Sequence, residues 1–136
     1  MQLRASEYEE LGINARWLNS PKAENAYRYA VAFSSGERYG LNSSTVSDID
    51  RLVIESYTVA NEWLKTRMSA TGTVQVVYSE TEVCVIDATA FLAQWHQIFV
   101  PARDDAIILH SLEPTIAFYC HEEELEVGRR TMSNDA

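Results

Sequence analysis

The segment VQVVYSETEVCVIDATAFLAQWHQIFVPARDDAIILHSLEPTIAFYCH spans residues 74–121. It contains four short runs rich in β-branched and aromatic residues, with one amphipathic segment in the middle. The runs occur in pairs, and turn residues separate the members of each pair, which predicts two β-hairpins. The middle segment begins after Asp87, a good helix N-cap, repeats apolar residues at helical spacing, and stops before Pro101. We therefore predict strands 74–79 and 82–87, a helix over 88–99, and strands 106–112 and 115–121.

Two upstream segments complete the predicted layout. Residues 46–68 place apolar side chains on one helical stripe, with Thr45 as N-cap, which predicts a long helix. Residues 20–42 are ambiguous, because Ser20-Pro21 resembles a helix start while apolar residues then alternate. For that segment we predict a hairpin with strands 26–33 and 37–42, and a helix over residues 20–34 remains the alternative.

Together these elements predict an α+β protein in a single domain, residues 1–136. The sheet is antiparallel and built from hairpins, with two main helices packed on one face. Residues 128–136 are predicted to be a flexible tail. At 136 residues, the chain is long enough to bury a core without a metal or a disulfide.

Composition restricts the classes of protein to which the chain can belong. The first residues run directly into acids without an apolar stretch, so no secretory signal is expected, and no stretch approaches membrane-spanning length. The two cysteines, Cys84 and Cys120, are expected to be free thiols in a reducing cytoplasm. The net charge of −9 disfavours direct binding to nucleic acid or to an anionic membrane.

The negative charge is concentrated in one segment of the sequence. Residues 1–73 hold nine acids and eight bases, whereas residues 74–127 hold ten acids and one base, Arg103. A surface of one sign repels itself and favours a partner of opposite charge. The distribution therefore predicts a binding surface for a basic partner within residues 74–127.

A two-residue turn at Glu113-Pro114 would set the register of the last hairpin, with Ile107 facing Cys120. That register places Asp105 opposite Glu122 and Asp104 opposite Glu123, and like charges facing each other destabilise a strand pair. Such an arrangement suggests a docking face for arginine and lysine side chains of a partner. The alternative interpretation is a solvated end of the sheet that prevents aggregation. The predicted partner-binding residues are Asp104, Asp105, Glu122, Glu123, Glu124, Glu126, Glu80, Glu82 and Tyr119.

Other chemistries are weaker interpretations. A metal site from His110, Cys120 and His121 is disfavoured, because the two histidines would lie about 13 Å apart along the strands. Mg²⁺ binding by the acids lacks an ordered ligand loop. Apolar and acidic neighbours disfavour a nucleophilic thiol at either cysteine. No phosphate-binding loop is present in the sequence, so no cofactor is predicted.

These observations favour a non-enzymatic, acidic, cytoplasmic protein that binds another protein. The concrete hypothesis is an inhibitor or immunity-type protein that neutralises a basic enzyme such as a nuclease toxin, since complementary charge accelerates association. One alternative is a nucleic-acid mimic that inhibits a defence or restriction enzyme. A different alternative is a small hydrolase that uses paired carboxylates, which a deep pocket holding two acids would favour. The sequence does not define the oligomeric state.

Overall fold

The computed structural model describes residues 3–131, within which the chain forms four helices and seven strands. The helices are α1 (Leu3–Glu10), α2 (Ser20–Val31), α3 (Tyr57–Lys65) and α4 (Ala88–Ile98). The strands are β1 (Arg16–Trp17), β2 (Val46–Val53), β3 (Thr73–Val77), β4 (Val83–Asp87), β5 (Ala106–His110), β6 (Thr115–Cys120) and β7 (Glu124–Arg130). All seven strands belong to one antiparallel sheet in the order β1-β4-β3-β5-β6-β7-β2.

The predicted α+β class and antiparallel sheet are confirmed. The hairpins β3–β4 and β5–β6 and helix α4 occur where the sequence predicts them. These elements carry strong local signals, because β-branched runs form the strands and turn residues separate them. The middle of the sheet is therefore set largely by residues 73–120.

The register of the β5–β6 hairpin differs from the prediction by two residues. Ile107 pairs with Phe118, and not with Cys120. The turn is longer than two residues, because the Leu112 amide donates to Nδ1 of His110 at 3.1 Å and so does not join the ladder. Side chains alternate with period two, so a shift of two residues keeps every side chain on its predicted face. The shift does change which residues are opposite one another at the far end of the hairpin.

The hairpin predicted for residues 26–42 is wrong, because residues 20–31 form helix α2. Asn19 accepts a 3.3 Å hydrogen bond from the Lys22 amide, and Pro21 lies in the first turn, where a missing amide hydrogen costs nothing. The alternation of aromatic residues in the sequence does not correspond to alternating burial in the structure, since Tyr29 is 47% exposed. Residues 37–42 form a loop, which an isolated bridge between Ser34 and Leu41 closes.

The long helix predicted for residues 46–68 is also wrong. Its first third is strand β2, which pairs with β7 along one edge of the sheet, and only Tyr57–Lys65 is helical. Ser56 separates the two elements by accepting a hydrogen bond from the Val59 amide at 3.3 Å. A bulge between Ser47 and Asp50 shifts the β2 register. The apolar residues that matched helical spacing therefore belong to two different elements, strand β2 and helix α3.

Strand β7 was not predicted, and it contains part of the segment predicted to be a flexible tail. Gly128 pairs with Ile116 of β6, so residues 128–130 belong to the sheet. A Cβ atom at Gly128 would lie 2.5 Å from Cγ1 of Val46, so glycine lets β2 approach closely. Residues 132–136 of the predicted tail lie outside the described residues.

Helices cover both faces of the sheet, in contrast to the predicted coverage of one face. The first core contains side chains from α1, α3 and α4, including Tyr8, Leu64 and Trp95. The second core lies on the opposite face, where α2 contributes Ala23 and Ala30. Coverage on both faces explains why every residue of β5 and β6 is buried. Among residues 3–131, no helix has the length and apolar character needed to cross a membrane.

Candidate functional site

The predicted binding residues lie mostly at one end of the sheet. Antiparallel pairing brings together the β3–β4 turn, the segment before β5 and the β6–β7 turn. The β3–β4 turn carries Glu80 and Glu82, Asp104 and Asp105 precede β5, and the β6–β7 turn carries Glu122 and Glu123. The remaining three, Tyr119, Glu124 and Glu126, lie within the last two strands. We call this region the acidic end.

The predicted opposition of like charges at the acidic end is wrong. The two-residue register shift leaves Asp105 beside His121, with Asp105 Oδ1 accepting from the His121 amide at 2.9 Å. Asp104 is completely buried, and its carboxylate accepts hydrogen bonds from Arg103 and Arg4 and from the Val100 amide, each at 2.8 Å. Asp104 is therefore a structural anion and cannot contact a partner in this arrangement.

Arg4 from α1 and Arg103 from the segment before β5 complete this ion network. Burial raises the pKa of Asp104, but bonds to Arg103, the Val100 amide and Arg4 outweigh it and leave the pKa below its ordinary value. Arg4 also pairs with Glu82 and stacks over the Tyr78 ring, 4.2 Å from its centroid. The network thus ties α1 to the first face of the sheet, and it uses two of the predicted binding residues internally.

On the second face, carboxylates of β7 pair with arginines from the first half of the chain. Glu126 is buried and lies 2.5 Å from the Arg38 guanidinium, and Glu124 lies 2.6 Å from Arg51. Glu123 accepts a 2.9 Å hydrogen bond from the Tyr57 hydroxyl. Tyr119 is buried, with its ring stacked on Phe99. Folding therefore pairs part of the negative charge of residues 74–127 with arginines from the first half of the chain.

An open groove remains on the second face, beside the acidic end. It has a volume of about 520 Å³ and is lined by Glu37, Arg38, Tyr39, Ile49, Arg51, Glu122, Glu124 and Glu126. Four carboxylates face two guanidinium groups, so the lining is net negative. The Tyr39 side chain is 57% exposed and supplies an aromatic surface. We call this feature the Tyr39 groove.

Glu126 and Gly40 hold the wall of the Tyr39 groove in place. Glu126 Oε1 accepts a 2.8 Å hydrogen bond from the Leu41 amide, and Arg38 bonds the Leu41 carbonyl at 3.0 Å. A Cβ atom at residue 40 would lie 2.0 Å from Nη1 of Arg38 and 2.8 Å from both Glu126 carboxylate oxygens, so a larger residue would displace the ends of these two side chains. The loop that presents Tyr39 is thereby fixed to the sheet.

A mixed corner of polar side chains adjoins the groove where β6 ends. The ligand atoms of Asp105, Cys120 and His121 all lie within 4.8 Å of one another. Asp105 Oδ1 accepts from Nδ1 of His121 at 2.9 Å, and this bond raises the pKa of the imidazole. The Tyr39 ring meets the His121 ring edge-on, with centroids 4.7 Å apart. Groove and corner therefore share a wall.

The other candidate chemistries gain no support from the structure. Burial raises the pKa of the Cys84 thiol to about 12, so this thiol is not a thiolate at neutral pH. His110 is buried, and its ring bonds to the Ser69 carbonyl at 3.0 Å, at the opposite end of β5 from the mixed corner. The carboxylates of Glu124 and Glu126 are engaged by arginines rather than free for acid–base work.

Sequence reasoning missed the residues that make the groove distinctive. Tyr39 and Arg38 lie in a loop that was predicted as a strand, and Arg51 lies in a strand that was predicted as a helix. The available signal was the spacing of Gly36 and Gly40 around three polar and aromatic residues, which is typical of an exposed loop. The predicted register set Asp105 opposite Glu122, so the contact between Asp105 and His121 was not predicted.

No model of a known protein family matches this chain. Comparisons with curated proteins and with solved structures also found no match.

Proposed function

We propose that this protein binds a basic protein partner through the Tyr39 groove, as an inhibitor or immunity-type protein that neutralises a basic enzyme such as a nuclease toxin. The observation that carries the proposal is the groove itself, an acidic depression with an exposed tyrosine at its wall. Arginine or lysine side chains of a phosphate-binding surface are complementary to such a lining.

The groove residues suit protein recognition. Tyrosine and arginine are enriched at the centres of protein interfaces, where they supply large contact areas and directed hydrogen bonds. Glu37 and Glu122 are exposed at the groove, while Glu124 and Glu126 already hold arginines. An incoming cation would therefore first meet Glu37 and Glu122, with Tyr39 beside them as the aromatic contact.

The proposed contact residues differ from those predicted from the sequence. Asp104, Tyr119 and Glu126 are buried, and Glu82 is engaged by Arg4, so these residues support the site rather than contact the partner. Glu80 is exposed on the β3–β4 turn, outside the groove lining. The proposed contacts are Glu37, Tyr39, Glu122 and Glu124.

The alternatives fit the geometry less well. A nucleic-acid mimic needs a row of exposed carboxylates, whereas those at the acidic end divide between two faces and are partly ion-paired. A hydrolase needs two free carboxylates in one cleft, and the inner carboxylates of the groove are bound by Arg38 and Arg51. We place the proposed function in the cytoplasm, where two buried free cysteines would stay reduced.

The test begins with capture of the partner and continues with purified components. Wild-type protein is immobilised at low salt in extract of the native host, and the captured basic protein is identified and purified. Affinity is then measured for wild type, Tyr39→Ala and the matched control Tyr29→Ala, which removes another exposed tyrosine outside the groove. We expect Tyr39→Ala to weaken binding by about 30-fold, as at interface centres, and Tyr29→Ala to have little effect.

Two outcomes would contradict the proposal. One is equal affinity of Tyr39→Ala and wild type for the captured partner. The other is capture of a partner that binds a Glu37→Lys/Glu122→Lys variant as tightly as wild type, because two reversed charges in the groove must repel a basic segment.

A further inference from the structure

The corner formed by Asp105, Cys120 and His121 combines three different metal-ligating groups. A carboxylate, a thiol and an imidazole are brought within 4.8 Å of one another by two separate segments of chain. Elsewhere among residues 3–131, no other group of three such side chains meets this condition. The combination is thus distinct from the clustering of acids that the sequence alone displays.

The backbone holds this corner in a fixed shape. Strand β6 ends at Cys120, whose carbonyl accepts a 2.8 Å hydrogen bond from the Glu123 amide. Glu123 has a φ of 61°, which closes the turn into β7. The Ala102 amide donates to the His121 carbonyl at 2.9 Å, which joins the turn to the segment before β5. Ligands on a turn tied at both sides need little reorganisation to close around an ion.

Backbone amides also orient two of the three groups. The His121 amide donates to Asp105 Oδ1 at 2.9 Å, and the Glu122 amide donates to Cys120 Sγ at 3.4 Å. Hydrogen bonds of this kind orient ligands from outside the coordination sphere. Both bonds remain available if Asp105 and Cys120 turn their other lone pairs toward a metal.

The electrostatic surroundings favour a cation. The carboxylates of Asp105, Glu122 and Glu124 act electrostatically on the Cys120 sulfur. Their negative charges attract a divalent ion, whose own charge stabilises a bound thiolate.

We propose that Asp105, Cys120 and His121 form a Zn²⁺ site, in which three protein ligands leave one position of a tetrahedral zinc ion for water or for a group from a partner. Mixed sulfur, nitrogen and oxygen ligands select zinc over Mg²⁺ and Ca²⁺, which require oxygen ligands. This site does not depend on the proposed partner binding, because its ligands belong to this chain.

Binding of the ion involves proton loss and no redox change. The Cys120 thiol loses its proton to solvent as the zinc–sulfur bond forms. Nδ1 of His121 now faces Asp105, so coordination through Nδ1 requires its proton to leave, with the neutral ring protonated on Nε2. The hydrogen bond between His121 and Asp105 is then replaced by two bonds to the same ion.

The test uses the metal-stripped, reduced full-length protein and Co²⁺ as a spectroscopic probe for zinc. We expect one Co²⁺ per chain, a near-ultraviolet charge-transfer band from the Cys120 thiolate, and displacement by an equivalent of Zn²⁺. Cys120→Ser and His121→Gln should weaken binding by at least about 100-fold, and Cys120→Ser should abolish the band. Cys84→Ala and His96→Gln change residues outside the corner, so they should leave the Co²⁺ affinity and the charge-transfer band unchanged.

The half-exposed His121 keeps the test informative if Cys120→Ser fails to fold. His121→Gln changes a side chain on the surface, and circular dichroism would establish that this variant is folded. The proposal is overturned if Co²⁺ fails to saturate at one per chain. It is also overturned if the charge-transfer band persists in Cys120→Ser or is lost equally in Cys84→Ala, or if folded His121→Gln binds Co²⁺ as tightly as wild type.

Discussion

A carboxylate without solvent contact needs cations and donors around it, and Asp104 has two arginines and a backbone amide. Arg103 lies between Asp104 and Glu7, with both guanidinium–Glu7 distances at 2.8 Å. Removal of the central charge leaves both arginines without one of their partners in a low-dielectric setting. Because Arg4 and Glu7 belong to α1, this network holds α1 against the segment before β5.

Asp104→Asn should therefore lower the free energy of unfolding by about 3 kcal/mol, as is typical when one partner of a buried salt bridge is removed. Urea denaturation at neutral pH measures this change. Glu80→Gln, which alters an exposed acid at the same sheet end, is the control and should stay within about 0.5 kcal/mol. A loss for Asp104→Asn no larger than for Glu80→Gln would contradict the structural role.

Glu113 links the β5–β6 turn to the segment after α3. It accepts hydrogen bonds from the Ser69 amide at 3.0 Å and from the Thr115 hydroxyl at 2.9 Å. Burial raises its pKa, but these bonds and the nearby positive charges outweigh that effect, so the pKa lies below the ordinary value of 4.5. A lowered folded-state pKa contributes stability above pH 4.5 that disappears as the pH falls through the folded-state value.

Glu113→Gln should accordingly destabilise the protein at pH 7, and the difference from wild type should shrink below about pH 4. Unfolding free energies at a series of pH values measure both quantities. The exposed Glu9→Gln variant is the control and should show no comparable dependence. A difference that stays constant down to pH 3 would show that the ionised carboxylate of Glu113 is not the stabilising form.

At the scale of elements, local signals predicted the segments that carry their own pattern. The β3–β4 hairpin and α4 combine β-branched runs, turn residues and a proline stop, and these were predicted correctly. Strand β7 was missed, because its charged residues resemble solvent-exposed sequence until Arg38 and Arg51 pair with them. Helix α2 and strand β2 depend on tertiary contacts, so their competing local patterns could not be decided from sequence.

The loop between α2 and β2 is bonded to strand β7 through the carboxylate of Glu126. Glu126→Ala removes the acceptor of the Leu41 amide and the partner of Arg38, so the loop should open more often. We expect hydrogen exchange at the Leu41 amide to accelerate by about tenfold or more, as for loss of a charged hydrogen bond. Glu124→Ala removes a neighbouring carboxylate without a bond to the loop, and it should leave this exchange rate unchanged.

An unchanged Leu41 exchange rate in Glu126→Ala would mean that other contacts order the loop. The Tyr39 groove would then have a wall that does not depend on β7. A change of similar size in Glu124→Ala would instead indicate a general loosening of the strand.

At the scale of the whole molecule, folding redistributes the charge that the sequence concentrates. Arginines from residues 1–73 meet acids from residues 74–127, so the exposed negative charge is smaller than the segment's composition suggests. The sequence could indicate that Glu122, Glu124 and Glu126 lie near one site. It could not indicate the position of Tyr39, because Tyr39 lies in a loop. It could not indicate the corner of Asp105, Cys120 and His121 either, because that corner depends on a two-residue register shift.

We propose that the Tyr39 groove recruits a basic partner through its exposed carboxylates, Glu37 and Glu122. Its most direct test is the association rate of Glu37→Gln/Glu122→Gln with the purified partner across a salt series, beside the control Glu9→Gln/Glu80→Gln. We predict an association rate about tenfold below wild type at low ionic strength, converging with wild type at high salt, with thermal stability unchanged. An association rate equal to that of wild type at low salt would show that Glu37 and Glu122 do not recruit the partner.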